Sequence, residues 1–401
     1  MIPVRQALKI VRAYSSSLDS ERVDLACARD RFLAEAIIAD SDLPPFDRSQ
    51  MDGYAVRSED TLGAPVTLRI VGESKAGKGW HQQLHQGEAV RIMTGAPVPA
   101  GANAVQQVEK TRELSDQTVQ ILEPVAEGRS IVKRAAEIDA GARVLELGER
   151  ITAGTIAVLA SFGYATVRVA QRPKVAVLAT GSELVGVHER PAQDQIRDSN
   201  NYSIAAYAEL AGSTSERLPL AGDDTRTLAE AIQTAGKRAD LVITSGGVSM
   251  GVYDFTKTAL RELGAEIFFE RVALRPGKPT VFARLPDGTL VFALPGNPVS
   301  VSVTFNLFAR PALLAMQSAK ELELRRGWAV LSRSVKGSAD RESYLPALLR
   351  TDVAGHLIAE PMKWGGSSDF VGFARADGLI VVAAGVQMVE AEAVVEVMRL
   401  P

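Results

Sequence analysis

The sequence has one cysteine and four histidines among its 401 residues. A disulfide needs two cysteines, so no intrachain bridge can form. The lone Cys27 lies in an alanine-rich stretch, which favours a packing role over a nucleophilic one. The histidines are scattered, and no group of Cys and His residues has the spacing of a zinc site. These absences exclude a disulfide framework and a zinc centre.

The sequence also has little net charge and no long apolar run. The formal charge is −3, with acids and bases interspersed. A general nucleic-acid binder needs a basic stripe, so this class is excluded. No apolar run reaches the roughly 18 residues that span a membrane, and the N-terminal segment lacks the hydrophobic block of a signal peptide. We therefore expect a cytoplasmic protein.

The chain is too long for one hydrophobic core, and its pattern changes along its length. The first forty residues predict two amphipathic helices that end before Pro44 and Pro45. Short alternating segments separated by Gly, Pro and Asp turns then indicate a small β module up to about residue 140. A helix follows from about Thr152 to Ser161, and Gly163 is a suitable cap for its C-terminal end. The β module is therefore interpreted as an insertion between two separated stretches of one domain.

Strands alternate with helices from Lys174 to about Met316, which is typical of a doubly wound parallel α/β sheet. Short β segments return after about Lys320 and indicate a small β-barrel or sandwich. The fold class is thus multidomain α/β plus β. The predicted domains are residues 1–43 with 140–171 (helical), 44–139 (inserted β module), 172–318 (α/β) and 319–401 (C-terminal β-barrel).

Three of the predicted parallel strands end in loops of small residues. The loops are Thr180-Gly181-Ser182-Glu183, Thr244-Ser245-Gly246-Gly247-Val248-Ser249 and Pro295-Gly296-Asn297-Pro298. Ligands of open parallel sheets bind outside the carboxyl ends of the strands, and glycine lets backbone N–H groups approach an anion. One such loop could be only a tight turn. Three loops at one edge favour a site for a phosphate or another oxyanion.

Charged side chains accompany these loops. Glu183 and Asp223 follow strands, and Asp254 begins a helix. Asp223 and Asp254 can be helix caps, or all three carboxylates jointly bind Mg²⁺ through oxygen ligands. Arg275 and Lys278 lie in a Pro-Gly turn between extended runs, which favours an anion-directed role over a solvated surface charge.

Two polar residues of the β module are candidates for a functional role. Asp52 lies in a glycine turn after Met51, and Thr94 precedes another glycine turn. Either residue can be an ordinary turn residue, and the local pattern alone does not separate that role from a functional one.

Seven segments in this order resemble one known family, the MoeA / gephyrin E-domain family of molybdopterin molybdenumtransferases. They are PPFDRSQMDGYAVR, RIMTGAPVPAGANAVQQVE, VAVLATGSELV, QIRDSNNYSI, ITSGGVSMG with the following YD, LRPGKPTVF and LPGNPVS. The resemblance covers essentially the whole chain.

The resemblance implies an activity in molybdenum cofactor biosynthesis. Such enzymes bind adenylylated molybdopterin and molybdate, release AMP with Mg²⁺ as the usual metal, and deliver molybdenum to the dithiolene. It further implies a homodimer with a shared active site, in which residues 1–43 and 140–171 provide dimerisation and the β module of one subunit closes over the α/β domain of the other. Implied partners are a molybdopterin adenylyltransferase and molybdoenzyme apoproteins or chaperones.

The resemblance also implies roles for individual residues. Catalytic roles fall on Asp52, Thr94, Glu183, Lys278 and Arg275. Substrate-binding roles fall on Gly181, Ser182, Asp198, Asn200, Ser245, Gly246, Gly247, Ser249, Pro295, Gly296, Asn297, Pro298, Glu137, Arg341 and Ser367, with Ser368 as an alternative to the last. Metal-binding roles fall on Asp223, Asp254 and Glu183.

The sequence departs from the family pattern at three places. Val252 replaces the acid of the G-[DE]-Y-D motif, Ala135-Ala136-Glu137-Ile138 replaces GEDI, and Arg275 replaces a common lysine. Two alternative functions therefore stay open: a non-catalytic pterin-binding scaffold, and a molybdopterin adenylyltransferase or a hydrolase of the nucleotide-linked pterin. Several residues to which the resemblance assigns roles are retained, and they favour the molybdenum-inserting enzyme: Asp52, Thr94, Glu183, Asp254 and Lys278.

Overall fold

The computed structural model describes residues 1–222, 224–247, 255–363 and 365–401. The chain forms two compact units. The first comprises Met1–Glu35, Leu147–Ile156 and Thr166–Pro401, and the second comprises Ala36–Glu146 and Ala157–Ala165. The second unit is thus inserted into the chain of the first. The finer division into four domains stays a prediction.

The N-terminal segment contains one α-helix instead of the expected two. Its elements are α1 (Val4–Tyr14), β1 (Ser20–Asp24) and a 3₁₀ turn (Leu25–Cys27). Residues 20–24 pair antiparallel with residues 166–170, so strand pairing satisfies their backbone groups and overrides the helical pattern. The 3₁₀ turn leaves Cys27 exposed, and its expected packing role is wrong.

The second unit contains the predicted β module. Its strands are β2 (Ile37–Ile38), β3 (Arg48–Ser49), β4 (Gly53–Val56), β5 (Val66–Ser74), β6 (Glu88–Ile92), β7 (Ala104–Gln107), β8 (Thr111–Ser115), β9 (Thr118–Ile121), β10 (Ile131–Val132) and β11 (Arg143–Leu145). Six of them form a sheet in the order β7-β4-β6-β5-β9-β8. A Cβ at Gly53 would lie 1.9 Å from the carbonyl oxygen of Gln106, so only glycine lets β4 pair closely with β7 directly after Asp52.

The helix predicted after this module is present as α2 (Ala153–Ser161), followed by β12 (Thr166–Ala170). Gly163 has φ +75°, a left-handed conformation that favours glycine. Its N–H donates to the carbonyl of Ala160, and the N–H of Tyr164 donates to that of Leu159. These bonds satisfy the last carbonyls of α2, as expected for a glycine cap.

The α/β part of the first unit follows the predicted alternation. Its elements are β13 (Lys174–Ala179), β14 (Leu184–Val185), β15 (Ile196–Arg197), α3 (Asn200–Leu210), β16 (Thr214–Arg217), α4 (Thr225–Gly236), β17 (Leu241–Ser245), α5 (Phe255–Glu262), β18 (Glu266–Phe269), β19 (Leu274–Arg275), β20 (Val281–Arg284), β21 (Leu290–Leu294), α6 (Pro298–Thr304), a π-helical turn (Phe305–Ala309) and α7 (Arg310–Met316). The main sheet has the order β16-β13-β17-β21-β20-β18. The first four strands are parallel, whereas β20 pairs antiparallel with β21 and with β18. The doubly wound sheet is confirmed, with an antiparallel edge that was not predicted.

Alternate residues of the central strands belong to two separate hydrophobic cores. Val175 and Val177 pack in the core that includes α1, α3 and the long helix from residue 298 to 316. Ala176 and Leu178 pack in the core that includes α4 and α5. The helix Pro298–Met316 is apolar and long enough to cross a membrane, but 89% of its most apolar window is buried inside the protein. It is therefore interpreted as the core helix of the α/β part.

The C-terminal part forms the predicted β-barrel. Its elements are β22 (Arg326–Leu331), β23 (Val335–Lys336), β24 (Glu342–Thr351), β25 (Leu357–Pro361), α8 (Phe370–Phe373), β26 (Gly378–Val382), β27 (Met388–Val389) and β28 (Val394–Arg399). The strands β24, β25, β22, β28 and β26 pair in this order, and pairing of β24 with β26 closes the ring.

Ala135 occupies the position at which the family motif has glycine. Its φ is +60°, a left-handed conformation that costs an L-residue about 1 kcal/mol. We predict that Ala135→Gly raises the thermal stability of the protein, with a gain in unfolding free energy of up to about 1 kcal/mol. Scanning calorimetry measures this change. The control Ala136→Gly has no such strain to relieve and should lower stability. Equal losses in both variants would contradict the interpretation.

Candidate functional site

The three small-residue loops lie against one another at one edge of the main sheet. Gly246 has φ +92°, and a Cβ there would lie 2.2 Å from the carbonyl oxygen of Thr180. A Cβ at Gly296 would lie 3.7 Å from the Cα of Gly246. Gly247 is also left-handed and packs against Thr256, whose Oγ1 would lie 2.5 Å from an added Cβ. The expected convergence of the loops is therefore observed, and the second loop has no room for a Cβ at Gly246.

Asn200, at the start of α3, ties two of these loops together. Its Nδ2 donates to the Oγ of Ser245 at 2.8 Å and to the carbonyl of Gly296 at 2.6 Å. The Ser245 side chain is 1% exposed, and its hydroxyl lies 3.5 Å from the carbonyl of Pro295. Both side chains thus position the loops. The buried Oδ1 of Asn200 has no hydrogen-bond partner in the described parts of the chain, which leaves an acceptor at the loop edge.

The third loop also connects to the C-terminal part. Pro298 is the first residue of α6, where a missing N–H costs nothing. The next residue, Val299, donates its N–H to the carbonyl of Ser367 at 3.1 Å, and Asn297 Nδ2 donates to the Ser367 hydroxyl at 2.7 Å. These bonds place the predicted Ser367 beside the strand-end loops. By contrast, Asp198 is buried and its Oδ1 accepts the N–H of Asn201 at 3.0 Å, which is a local structural contact.

A cavity of about 780 Å³ extends from this edge between the α/β part and the barrel. We call it the cationic pocket, because five basic side chains line it and none of its described lining residues is acidic. Pro295, Asn297 and Ser367 also line it. The basic residues are Arg275, Lys278, Arg333, Lys336 and Arg341.

The cations of this pocket are weakly compensated. Arg341 Nε donates to Asp340 at 3.2 Å, and Arg275 Nη1 donates to the carbonyl of Gly337 at 3.2 Å. The Lys278 ammonium has no hydrogen bond or ion pair within residues 1–222, 224–247, 255–363 and 365–401. A concentration of positive charge with few carboxylates favours binding of an anion.

Sequence reasoning missed Arg333 and Lys336, which line the pocket near and on the short strand β23. The signal was the segment SRSVKG, where basic residues flank small ones. In isolation this segment reads as an ordinary exposed turn, because the groups that complete the pocket lie some sixty residues earlier in the chain.

The predicted metal ligands are only partly described. Glu183 is exposed, and its Oε2 would lie 2.5 Å from a Cβ added at Gly181. Asp223, Asp254, Ser249 and Val252 lie outside the described residues. The helix α4 is capped by Asp224 and not by Asp223, because Asp224 Oδ2 accepts the N–H of Thr227 at 2.8 Å. Within the described ranges, no three Asp, Glu, His or Cys residues form a group suited to a metal.

In the second unit, the structure brings Asp52 and Thr94 together. Asp52 Oδ1 accepts the backbone N–H of Thr94 at 2.7 Å and its hydroxyl at 2.9 Å. These two hydrogen bonds, the backbone one first, hold the pKa of Asp52 below its ordinary value. The exposed carboxylate is therefore ionised and oriented at neutral pH. Glu137, also predicted, is exposed and accepts a hydrogen bond from Arg48 at 3.3 Å.

These features define a multidomain protein whose doubly wound sheet has its strand-end loops beside a cationic pocket. Comparisons with known proteins agree. Residues 2–163 match the MoeA N-terminal region (domain I and II), residues 176–315 match a probable molybdopterin binding domain, and residues 328–400 match the MoeA C-terminal region (domain IV). The three matches follow one another along nearly the whole chain.

Individual relatives give the same result. The molybdopterin molybdenumtransferase of Staphylococcus aureus (strain N315) is 35% identical over 96% of this chain and 92% of its own length. The molybdopterin molybdenumtransferase of Bacillus subtilis (strain 168) is 35% identical over 100% of this chain and 94% of its own length. The crystal structure of the molybdopterin biosynthesis moeA protein of Pyrococcus horikoshii OT3 covers both chains completely, with 27% identity and a TM-score of 0.86. The chain belongs to the MoeA family of molybdopterin molybdenumtransferases.

The close contact between Gly246 and Thr180 yields a test of the loop geometry. We predict that Gly246→Ala lowers the free energy of unfolding by about 1–3 kcal/mol, because it combines a left-handed φ with a clash against a backbone oxygen. The control is Gly222→Ala at the same sheet edge, where an added Cβ meets nothing within 4 Å. Calorimetry should show a change within about 0.5 kcal/mol for this control. A neutral Gly246→Ala would show that the loops can separate without cost.

Proposed function

We propose that this protein inserts molybdenum into adenylylated molybdopterin and releases AMP, with molybdate as the second substrate. The observation that carries the proposal is the cationic pocket, which joins the loop edge of the molybdopterin-binding fold. A pyrophosphate-linked substrate brings several negative charges, and five basic side chains, with no acidic residue in the described part of the lining, match that charge. The volume of about 780 Å³ suits a small-molecule site.

The roles of the chain's own residues follow from their positions. Lys278, which makes no side-chain hydrogen bond or ion pair in the described ranges, supplies a free ammonium to a phosphate or to molybdate oxygens. Arg275 and Arg341 offer planar guanidinium groups, which suit tetrahedral oxyanions. The backbone of the loops at Gly181, Gly246 and Gly296 allows close approach of the pterin or its phosphate. Asn200 keeps two of these loops in register through its pair of hydrogen bonds.

Magnesium is part of this proposal. Glu183, Asp223 and Asp254 all provide carboxylate oxygens, the donor type that Mg²⁺ prefers, and Mg²⁺ commonly keeps several waters so that few protein ligands suffice. The exposed Glu183 carboxylate beside the first loop supports this assignment. Bound there, the ion would offset charge that develops on the phosphate oxygens.

Asp52 and Thr94 belong to the other unit, and we propose that they act on the substrate held by the α/β part of a second copy of the chain. Their mutual hydrogen bonds leave Asp52 ionised, with its second oxygen able to accept a proton or to orient water. The enzyme would act in the cytoplasm, receive its substrate from a molybdopterin adenylyltransferase and pass the product to molybdoenzyme apoproteins or their chaperones.

Two alternatives differ in what they predict. A scaffold would bind the pterin without turnover, and an adenylyltransferase would form the adenylylated product from ATP and molybdopterin. Matches to the MoeA N-terminal and C-terminal regions, outside the molybdopterin-binding part, support the transferase over the adenylyltransferase. Incubation of the protein with ATP and molybdopterin separates the two, because the proposed enzyme forms no adenylylated product from them.

We predict that Lys278→Met lowers kcat/KM for AMP release by about 10²–10³-fold, because a charge that stabilises the reacting phosphate is lost. The assay supplies adenylylated molybdopterin, molybdate and Mg²⁺, with AMP measured by chromatography and active cofactor measured by reconstitution of an apo-molybdoenzyme. The matched control is Lys237→Met, an exposed lysine just after α4. Turnover at the wild-type rate in both Lys278→Met and Arg341→Gln would refute the proposal.

The shared site is tested by complementation between two inactive variants. Asp52→Ala and Lys278→Met subunits are co-expressed with different affinity tags. In a two-fold dimer with shared sites, each mixed dimer has one intact site, so random pairing should restore about a quarter of wild-type activity. Sites formed within a single chain would restore none, which would exclude the shared arrangement while leaving the activity itself untouched.

A further inference from the structure

A second cavity of about 890 Å³ lies elsewhere in the first unit. None of its lining residues lines the cationic pocket. Its walls come from the segment around Arg150, the end of α3, the α7 helix with the chain that follows it, and the last residues of β28. Phe32, Leu314 and Leu324 provide an apolar wall. The basic side chains that line it are Arg29, Arg150, Arg310, Lys320, Arg325 and Arg399.

Three of the four acidic side chains that line this cavity pair with cations other than Arg310, Arg325 and Arg399. Asp30 pairs with Arg150 at 3.0 Å, and Glu149 pairs with Lys320 at 3.7 Å. Glu323 lies 3.5 Å from Arg326, which is not a lining residue. Glu321 also lines the cavity and forms no ion pair within the described residues.

Three arginines of the cavity are left without a carboxylate. In the part of the chain that the structure describes, no Asp or Glu oxygen lies within 4.0 Å of the guanidinium of Arg310, Arg325 or Arg399. Arg325 and Arg399 are neighbours, because the N–H of Arg399 donates to the carbonyl of Arg325 at 2.9 Å. Two exposed guanidinium groups therefore start from adjacent backbone positions.

Arg310 is the least accessible of the three. It begins α7 directly after the π-helical turn Phe305–Ala309, and insertions of this kind occur frequently at functional sites. The one hydrogen bond that its guanidinium makes in the described structure runs from Nη1 to the carbonyl of Leu322 at 2.9 Å, although a guanidinium carries five donors. Burial, and then the nearby charge of Arg150, lower the pKa of Arg310. A half-buried cation with a like charge beside it and no counter-ion destabilises the folded protein unless an anion joins it.

We propose that this cavity is a second anion site, which binds a small molecule through a phosphate or carboxylate group held by Arg310 with Arg325 and Arg399. Guanidinium groups bind both kinds of group through paired hydrogen bonds. The apolar wall around Phe32 and Leu314 accommodates the uncharged body of such a molecule, and the volume lies in the range of small-molecule sites.

Equilibrium dialysis at constant ionic strength tests the proposal, with inorganic phosphate as one probe and succinate as the other. Both cavities of the wild-type protein can bind phosphate, so the variants must separate them. Arg310→Met should remove one class of sites, with at least ten-fold weaker binding there, and leave the other. Arg341→Gln should instead weaken binding in the cationic pocket and leave binding in the second cavity unchanged. Loss of succinate binding in Arg310→Met, with phosphate unaffected, would assign the site to carboxylates.

Three further variants make the result decisive. Arg310→Lys keeps the charge but not the planar fork, so it should bind the probe more weakly than wild type and more tightly than Arg310→Met. The double variant Arg325→Gln with Arg399→Gln changes exposed side chains and tests the site without altering the core. Arg112→Met, an exposed arginine on β8 in the second unit, is the control and should bind as wild type does. Unchanged binding of both probes in Arg310→Met and in the double variant would overturn the proposal.

Discussion

The close approach of three backbone loops at one edge of the sheet is the constraint on which the site depends. Gly246 passes so near the carbonyl of Thr180 that no side chain fits. Asn200 then fixes the distance between the second and third loops through Ser245 and Gly296. Because the parallel strands that precede the loops are themselves buried on both faces, the loops are held by a rigid support. The geometry of the loops alone therefore requires small residues at this edge, whether or not a ligand binds there.

The charge distribution of the cationic pocket adds a second constraint. Lys278 and its four basic neighbours repel one another, and the described lining offers no carboxylate to offset them. In the proposed function, an anionic substrate removes this cost on binding and stabilises the bound protein by mass action. The arrangement also explains why the barrel is needed. Arg333, Lys336 and Arg341 come from that part of the chain, so the α/β part alone has fewer than half of the cations.

The sequence predicted well whatever depends on local periodicity. The alternation of strands and helices after Lys174, the glycine cap at Gly163 and the loops at the strand ends all follow from neighbouring residues, and the structure has them. The failures involve partners far away in the chain. The segment Ser20–Asp24 has a helical pattern but pairs with residues 166–170, and tertiary pairing overrides weak local propensity.

The same reason governs the site. Gly181, Gly246 and Gly296 were predictable because parallel strands bring their carboxyl ends to one edge by rule. No rule of that kind relates Arg333 or Lys336 to Lys278, since their proximity results from how the barrel packs against residues 295–300. Asp52 and Thr94 were predicted only by resemblance to a family. Their hydrogen bonds close a contact across 42 residues between two turns, which local pattern does not encode.

The helix Pro298–Met316 relates the two cavities of the first unit. It begins at the loop that lines the cationic pocket and carries Arg310 in the other cavity. Arg310 lies twelve residues after Pro298, which corresponds to about 18 Å at the ordinary α-helical rise. An anion beside Arg310 would therefore lie about three helical turns from the loop at Pro298. The π-helical turn lies between the two positions and is buried throughout. The packed residues of that turn therefore form one direct connection between the two cavities.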